Sequence, residues 1–166
     1  MEHHDLRGIQ VSVQLGPCDD SDIDLVVKAQ DIQLGAAPSG IISSRGSFES
    51  LGISMKEATH AEMVRHWPSI SIQDPDRRKV VYRAARDALN AAEAANVSSV
   101  GFFTLGLEVS RVPSWEVAEE IVKAVFDHAK EGTSLDRIML VASSPIQVSS
   151  FQYALGNIRM LRDGST

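Results

Sequence analysis

Apolar positions recur along this chain in two rhythms, and the switches between them predict alternating strands and helices. Ile9, Val11, Val13 and Leu15 alternate with Gln10, Ser12 and Gln14. That is the period of a strand with one wet face, so the pattern predicts an edge strand over Ile9–Leu15, ended by Gly16-Pro17. Leu25–Ala29, Val100–Thr104 and Ile138–Ala142 are continuous apolar runs. Runs of this length without alternation predict strands buried on both faces, as in the middle of a parallel sheet. Val117, Ile121, Val125 and Ala129 instead return at helical spacing and predict a helix over Ser114–Lys130, stopped by Gly132. Val81, Ala84 or Ala85, Ala88 and Ala92 make a thinner stripe along a helix over Asp76–Ala95, with Asp74-Pro75 as its cap and first-turn pair. A closing helix is expected over Val148–Leu161, with Phe151 and Leu155 inward. Met55, Ala58, Met63 and Val64 predict a short helix over Ser54–Arg65, and Ser69–Ile72 reads as one turn of strand. Met1–Arg7 reads as a frayed lead-in.

Strands alternating with helices in this order predict an α/β fold: a three-layer α/β/α sandwich with a mixed, mostly parallel central sheet. The 166 residues fit a single domain over 1–166, with 1–8 and 162–166 frayed. No apolar stretch is long enough to span a membrane and no secretory leader is recognisable, so the expectation is a cytoplasmic protein. The formal net charge of −6 argues against non-specific binding to a nucleic acid backbone. With one cysteine, Cys18, neither an intrachain disulfide nor a multi-cysteine zinc centre can form, and the thiol reads as a small buried hydrophobe. Neither a metal nor a cofactor is expected.

The chemistry-bearing stretches lie where strands end. Asn96–Phe126 reads as buried strand, loop and amphipathic helix, with Gly106 and Pro113 bracketing the loop. In an open α/β sheet such a loop lies beyond the carboxyl end of its strand, where ligands bind. The glycine- and serine-rich segment after Leu25–Ala29 is irregular enough to wrap a ligand, although it holds no phosphate-binding P-loop signature. Cys18–Asp24, CDDSDID, reads as a solvated acidic turn, because it lacks the length and the glutamate of a calcium loop. Arg77, Arg78, Lys79, Arg83 and Arg86 form the one basic cluster. Cations at a helix N-terminus oppose its dipole, so the cluster invites an acidic partner, RNA or water.

The C-terminal half, VVYRAARDALNAAEAANVSSVGFFTLGLEVSRVPSWEVAEEIVKAV followed by LDRIMLV and FQYAL, resembles the macro domain pattern cyxxaLxxAxxxgxxSvaFPalgTGvgGfPxxxaAxixlxai. The N-terminal VQLGPCDDSDIDLVVKAQD resembles that family's vxxGDITxxxvDAIVNAAN. The resemblance implies the macro-like sandwich and a site for ADP-ribose or a related nucleotide, formed by Asp31, Gly35, Ser39, Gly40 and Ile41 of one loop and Gly106, Leu107, Ser110, Arg111 and Val112 of another. The departures fall on that site. Pro17 replaces the aspartate that accepts from adenine, and Lys28 and Asp31 replace the two asparagines of NAAN. Ala36, Ala37 and Pro38 crowd the glycine-rich loop. The family's TGvgGf lies on Leu107, Glu108, Val109, Ser110, Arg111 and Val112, which places a carboxylate beside the diphosphate.

The reading is therefore a divergent, non-catalytic binding domain for a nucleotide-like small molecule or a protein partner, a second copy included. One alternative is an ADP-ribosyl or phosphoribosyl hydrolase in which Asp31 or Glu108 activates water. Another is a nucleic-acid-binding module using the Arg77–Arg86 cluster, which no RRM, KH or zinc-finger signature accompanies.

Overall fold

In the computed structural model of the chain, residues 2–30 and 59–163 are described. The fold is a three-layer α/β/α sandwich around a mixed, mostly parallel sheet. Six strands, β1 (Glu2–Leu6), β2 (Ile9–Leu15), β3 (Leu25–Lys28), β4 (Met63–His66), β5 (Ser99–Phe103) and β6 (Arg137–Ala142), lie in the order β1-β2-β6-β5-β3-β4. Among the described residues only the β1–β2 pair is antiparallel. The helices among the described residues are α1 (Arg77–Ala94), α2 (Leu105–Val109), α3 (Ser114–Lys130), α4 (Pro145–Gly156) and α5 (Ile158–Asp163).

The buried runs are where the pattern places them. β3 and β5 are buried along their whole length and adjoin each other near the middle of the sheet. Successive residues divide between the faces: Leu25 and Val27 join the main core, whereas Val26 joins Ile23, Phe103 and Val141 in a smaller cluster. α3 spans the expected residues, and Gly132 follows it at φ 88°, a left-handed position that glycine takes without a Cβ penalty. α1 buries Val81, Ala85, Ala88, Leu89 and Ala92, and the three alanines let it lie close to its neighbours.

Five expectations are corrected. The expected frayed lead-in, Met1–Arg7, is ordered from Glu2 onward: Glu2–Leu6 pairs with β2 through a tight turn in which Arg7 and Gly8 take φ 52° and 101°. Asp5 Oδ1 accepts the Gly8 N–H at 2.8 Å and closes that turn. β2 is consequently not an edge strand, because β1 covers the side it would have exposed. The helix expected over Ser54–Arg65 falls partly outside the described residues, and in its remainder residues 59–62 are irregular and 63–65 are strand. Met63–His66 pairs in parallel with β3, so backbone pairing along that strand overrides the helix-like spacing. Ser69–Ile72 forms no strand, and the closing helix begins earlier, at Pro145, and is interrupted at Asn157. Ser144 caps it, its Oγ accepting the Gln147 N–H at 3.2 Å.

The basic cluster packs α1 onto α3. Arg77 makes a two-pronged pair with Glu116 at 2.8 and 2.7 Å, Arg78 reaches Glu119 and Glu120 at 2.6 Å each, and Arg86 pairs with Glu131 at 2.8 Å. Cations that are unfavourable at their own helix terminus are thus neutralised by carboxylates of the neighbouring helix. No helix of the described residues is long and apolar enough to cross a membrane.

Candidate functional site

Because β2 to β6 run parallel, their carboxyl ends share one edge of the sheet. A cleft of about 250 Å³ opens there, beyond β3, β4 and β5. Ala29 and Gln30 form one wall, Gly106, Leu107, Val109 and Ser110 another, and Trp67–Ile70 a third. The segment after β5 is not the open loop its glycine and proline suggest, since Leu105–Val109 coils into α2.

Two local devices shape these walls. A Cβ added to Gly106 would lie 2.5 Å from Ala29 Cβ, so the absence of a side chain lets α2 sit directly against the end of β3. α2 then ends in a Schellman turn: the Val112 N–H donates to the Leu107 carbonyl at 3.1 Å and the Arg111 N–H to the Glu108 carbonyl at 3.0 Å. Arg111 is the left-handed residue of that turn, at φ 66°, where glycine is normally found. Trp67 secures the third wall, its indole N–H donating to the Phe103 carbonyl at 2.8 Å and its ring lying 6.0 Å from that of Phe102.

Of the residues expected to bind, Gly106, Leu107 and Ser110 line the cleft. Arg111 is exposed outside its lining, and Val112 is 3% exposed, packed in the core. Asp31, Gly35, Ser39, Gly40 and Ile41 lie outside the described residues, as does Pro38. Glu108 braces the backbone: its Oε2 accepts the Ser143 N–H at 2.8 Å and the Thr104 hydroxyl at 2.7 Å, tying α2 to the segment after β6. It is absent from the cleft lining.

Lys28 and Asp20 hold a feature that sequence reading missed. Asp20 belongs to the acidic turn expected to be solvated, yet its side chain is 0% exposed and Oδ2 lies 3.0 Å from Lys28 Nζ. Its Oδ1 accepts the His60 N–H at 2.8 Å, and the ammonium sits 4.4 Å from the centre of the Phe103 ring. A lysine inside the apolar run LVVKA was the available signal, because a buried ammonium requires a carboxylate partner. Asp24 is likewise turned inward: the N–H groups of Ser98 and Ser99 donate to it at 3.0 and 3.1 Å and hold its carboxyl below the usual range. Cys18 is half-buried, and burial pushes its thiol up, which makes it a poorer nucleophile. No group of three or more His, Cys, Asp or Glu side chains able to hold a metal ion occurs among the described residues.

No protein-family model matches the chain, and neither does any curated protein. Solved structures do. The Oceanobacillus iheyensis macrodomain with MES bound superposes with a TM-score of 0.68 at 15% identity, covering 95% of this chain and 96% of that one. A mutant of the same macrodomain with ADPR gives 0.67 at 14% identity, covering 95% and 97%. The Trypanosoma brucei macrodomain in complex with ADP-ribose gives 0.61 at 16% identity, covering 88% of this chain and 69% of that one. What this chain shares with these proteins is the macrodomain fold.

Proposed function

We propose that this chain is a divergent macrodomain-like binding domain that takes a nucleotide-like ligand in the cleft beyond β3 and β5 and does not hydrolyse it. The observation that carries this reading is the cleft at the carboxyl edge, where α/β sheets bind ligands, walled in part by α2 where Gly106 seats it against Ala29. Two of the similar structures, the Oceanobacillus iheyensis mutant with ADPR and the Trypanosoma brucei complex with ADP-ribose, support the ligand class.

Three features favour weak binding of ADP-ribose itself. Pro17 offers no carboxylate to an adenine amine, a loss worth about 1–3 kcal/mol if that donor is left unpaired. Asp20, the buried carboxylate of the same turn, is committed to Lys28. Arg111 stands where the macro domain pattern has glycine. A hydrolase reading through Glu108 is disfavoured because that carboxylate is held by Ser143 and Thr104. A nucleic-acid reading through the basic cluster is disfavoured by the pairing of Arg77, Arg78 and Arg86.

Titration calorimetry and amide chemical shifts against ADP-ribose, ADP and AMP test the proposal. The expected result is dissociation constants in about the millimolar range, with shifts at Gln30, Gly106, Leu107 and Ser110 and no turnover. Absence of any shift removes the ligand reading. Micromolar binding of ADP-ribose removes the divergence argument and returns the chain to ordinary ligand-binding macrodomains.

A further inference from the structure

Behind Pro68, on the α1 side of β4, lies a second concavity of about 360 Å³ whose lining includes Arg65, His66, Pro68, Val80, Arg83 and Asp87. We infer that it is a phosphate-binding site, with the Arg65 and Arg83 guanidinium groups as its principal donors. Arg83 is the member of the α1 cluster that the helix packing leaves over. Arg77, Arg78 and Arg86 are taken by carboxylates of α3 and its C-terminal cap, and Lys79 pairs with Asp76. Arg83 has no ion-pair partner among the described residues, nor does Arg65, yet they come from separate elements and line the same cleft.

Guanidinium is the side-chain group best matched to phosphate, through planar two-pronged donation, and here a strand and a helix each contribute one to the lining of a single cleft. His66 adds an imidazole at the rim. Val27 and Val80 supply apolar lining, while Arg65 and Arg83 are themselves exposed and reachable by an anion from solvent. Asp87 is the opposing carboxylate. With His66 neutral, the cleft carries two positive charges against one negative in a chain whose net charge is −6, so its attraction for anions is local.

Pro68 also lines the cleft beyond β3 and β5. A ligand seated there would reach the arginines across this residue, so the second site accepts either free phosphate or the phosphoryl group of a nucleotide bound next door. Only the nucleotide source rests on the function proposed above. The anion site stands on its own residues.

The test is an amide chemical-shift titration with inorganic phosphate against sodium chloride at matched ionic strength. The expected result is saturable shifts at Arg65, His66 and Arg83. Arg65→Gln or Arg83→Gln should weaken binding about tenfold, and Asp87→Asn should tighten it several-fold. Each variant's urea midpoint and remaining amide spectrum confirm that it folds. Phosphate shifts no larger than those from chloride, or shifts that persist in the Arg65→Gln/Arg83→Gln double variant, overturn the inference. A parallel titration with AMP separates the sources. Shifts that extend to Trp67, Ser69 and Ile70 assign the phosphate to a bridging nucleotide, and shifts confined to Arg65–Asp87 assign it to the free anion. Either pattern upholds the anion site.

Discussion

Replacing Lys28 by methionine keeps most of the aliphatic stem and removes the charge from the Lys28–Asp20 pair. At 3.0 Å the attraction is about 5.5 kcal/mol for an effective dielectric near 20. Burying the two ions costs several kcal/mol each, so the intact pair contributes little net stability. Breaking it is different. Asp20, 0% exposed, would keep the His60 N–H at 2.8 Å but lose the charge facing Oδ2. An uncompensated buried charge of this kind costs about 3–5 kcal/mol, and loss of the ammonium–Phe103 contact adds to it. With a urea m-value near 2 kcal/mol/M, Lys28→Met should lower the unfolding midpoint by about 2 M. The double variant Lys28→Met/Asp20→Asn removes both charges and should recover more than half of that loss, giving a coupling energy of about 2 kcal/mol or more. A Lys28→Met midpoint within about 0.5 M of the parent, or single-variant effects that simply add, would refute the argument.

Three further outcomes are expected. Arg111→Gly should raise stability by about 0.5–1 kcal/mol in urea unfolding, because the φ of 66° penalises a Cβ and the relief exceeds the extra freedom glycine brings to the unfolded chain; a loss would show that the arginine side chain stabilises the turn. Gly106→Ala should cost about 1–3 kcal/mol and shift the amides of Ala29 and Gln30, since its Cβ would meet Ala29 Cβ at 2.5 Å; a neutral result would mean that α2 is not held there. Glu93 has its carboxyl lowered to about 2, chiefly by hydrogen bonds from Ser134 and Thr133, with His128 adding to them. A depressed carboxylate contributes stability above the unfolded value and loses it as pH falls, here between about 4.5 and 2. Because the group is partly solvated, the loss should be about 1 kcal/mol, seen as a steeper acid decline in the parent than in Glu93→Gln. Equal slopes would contradict it.

Periodicity by itself determined α1, α3 and the buried strands β3, β5 and β6, because a regular element that buries one face must repeat its apolar residues at its own period. The same pattern located the edge of the sheet where the cleft lies, since the carboxyl ends of parallel strands carry the loops. It misled wherever pairing or packing with a distant segment outweighed local preference. Met63–His66 has no strand-like alternation and extends because β3 offers it a partner, while Glu2–Leu6 is polar and is ordered by β2. Asp20 stands in a run of four aspartates, of which Asp19 and Asp22 are exposed, and nothing local distinguishes it as the one that meets Lys28. Trp67–Ile70 and Ala29 form a wall only because β4 lies beside β3 in the sheet. Local sequence sets the period of each element. Which strands adjoin, which charges are buried together and which loops share a cleft depend on contacts between residues far apart in the chain, whose energies no single segment encodes.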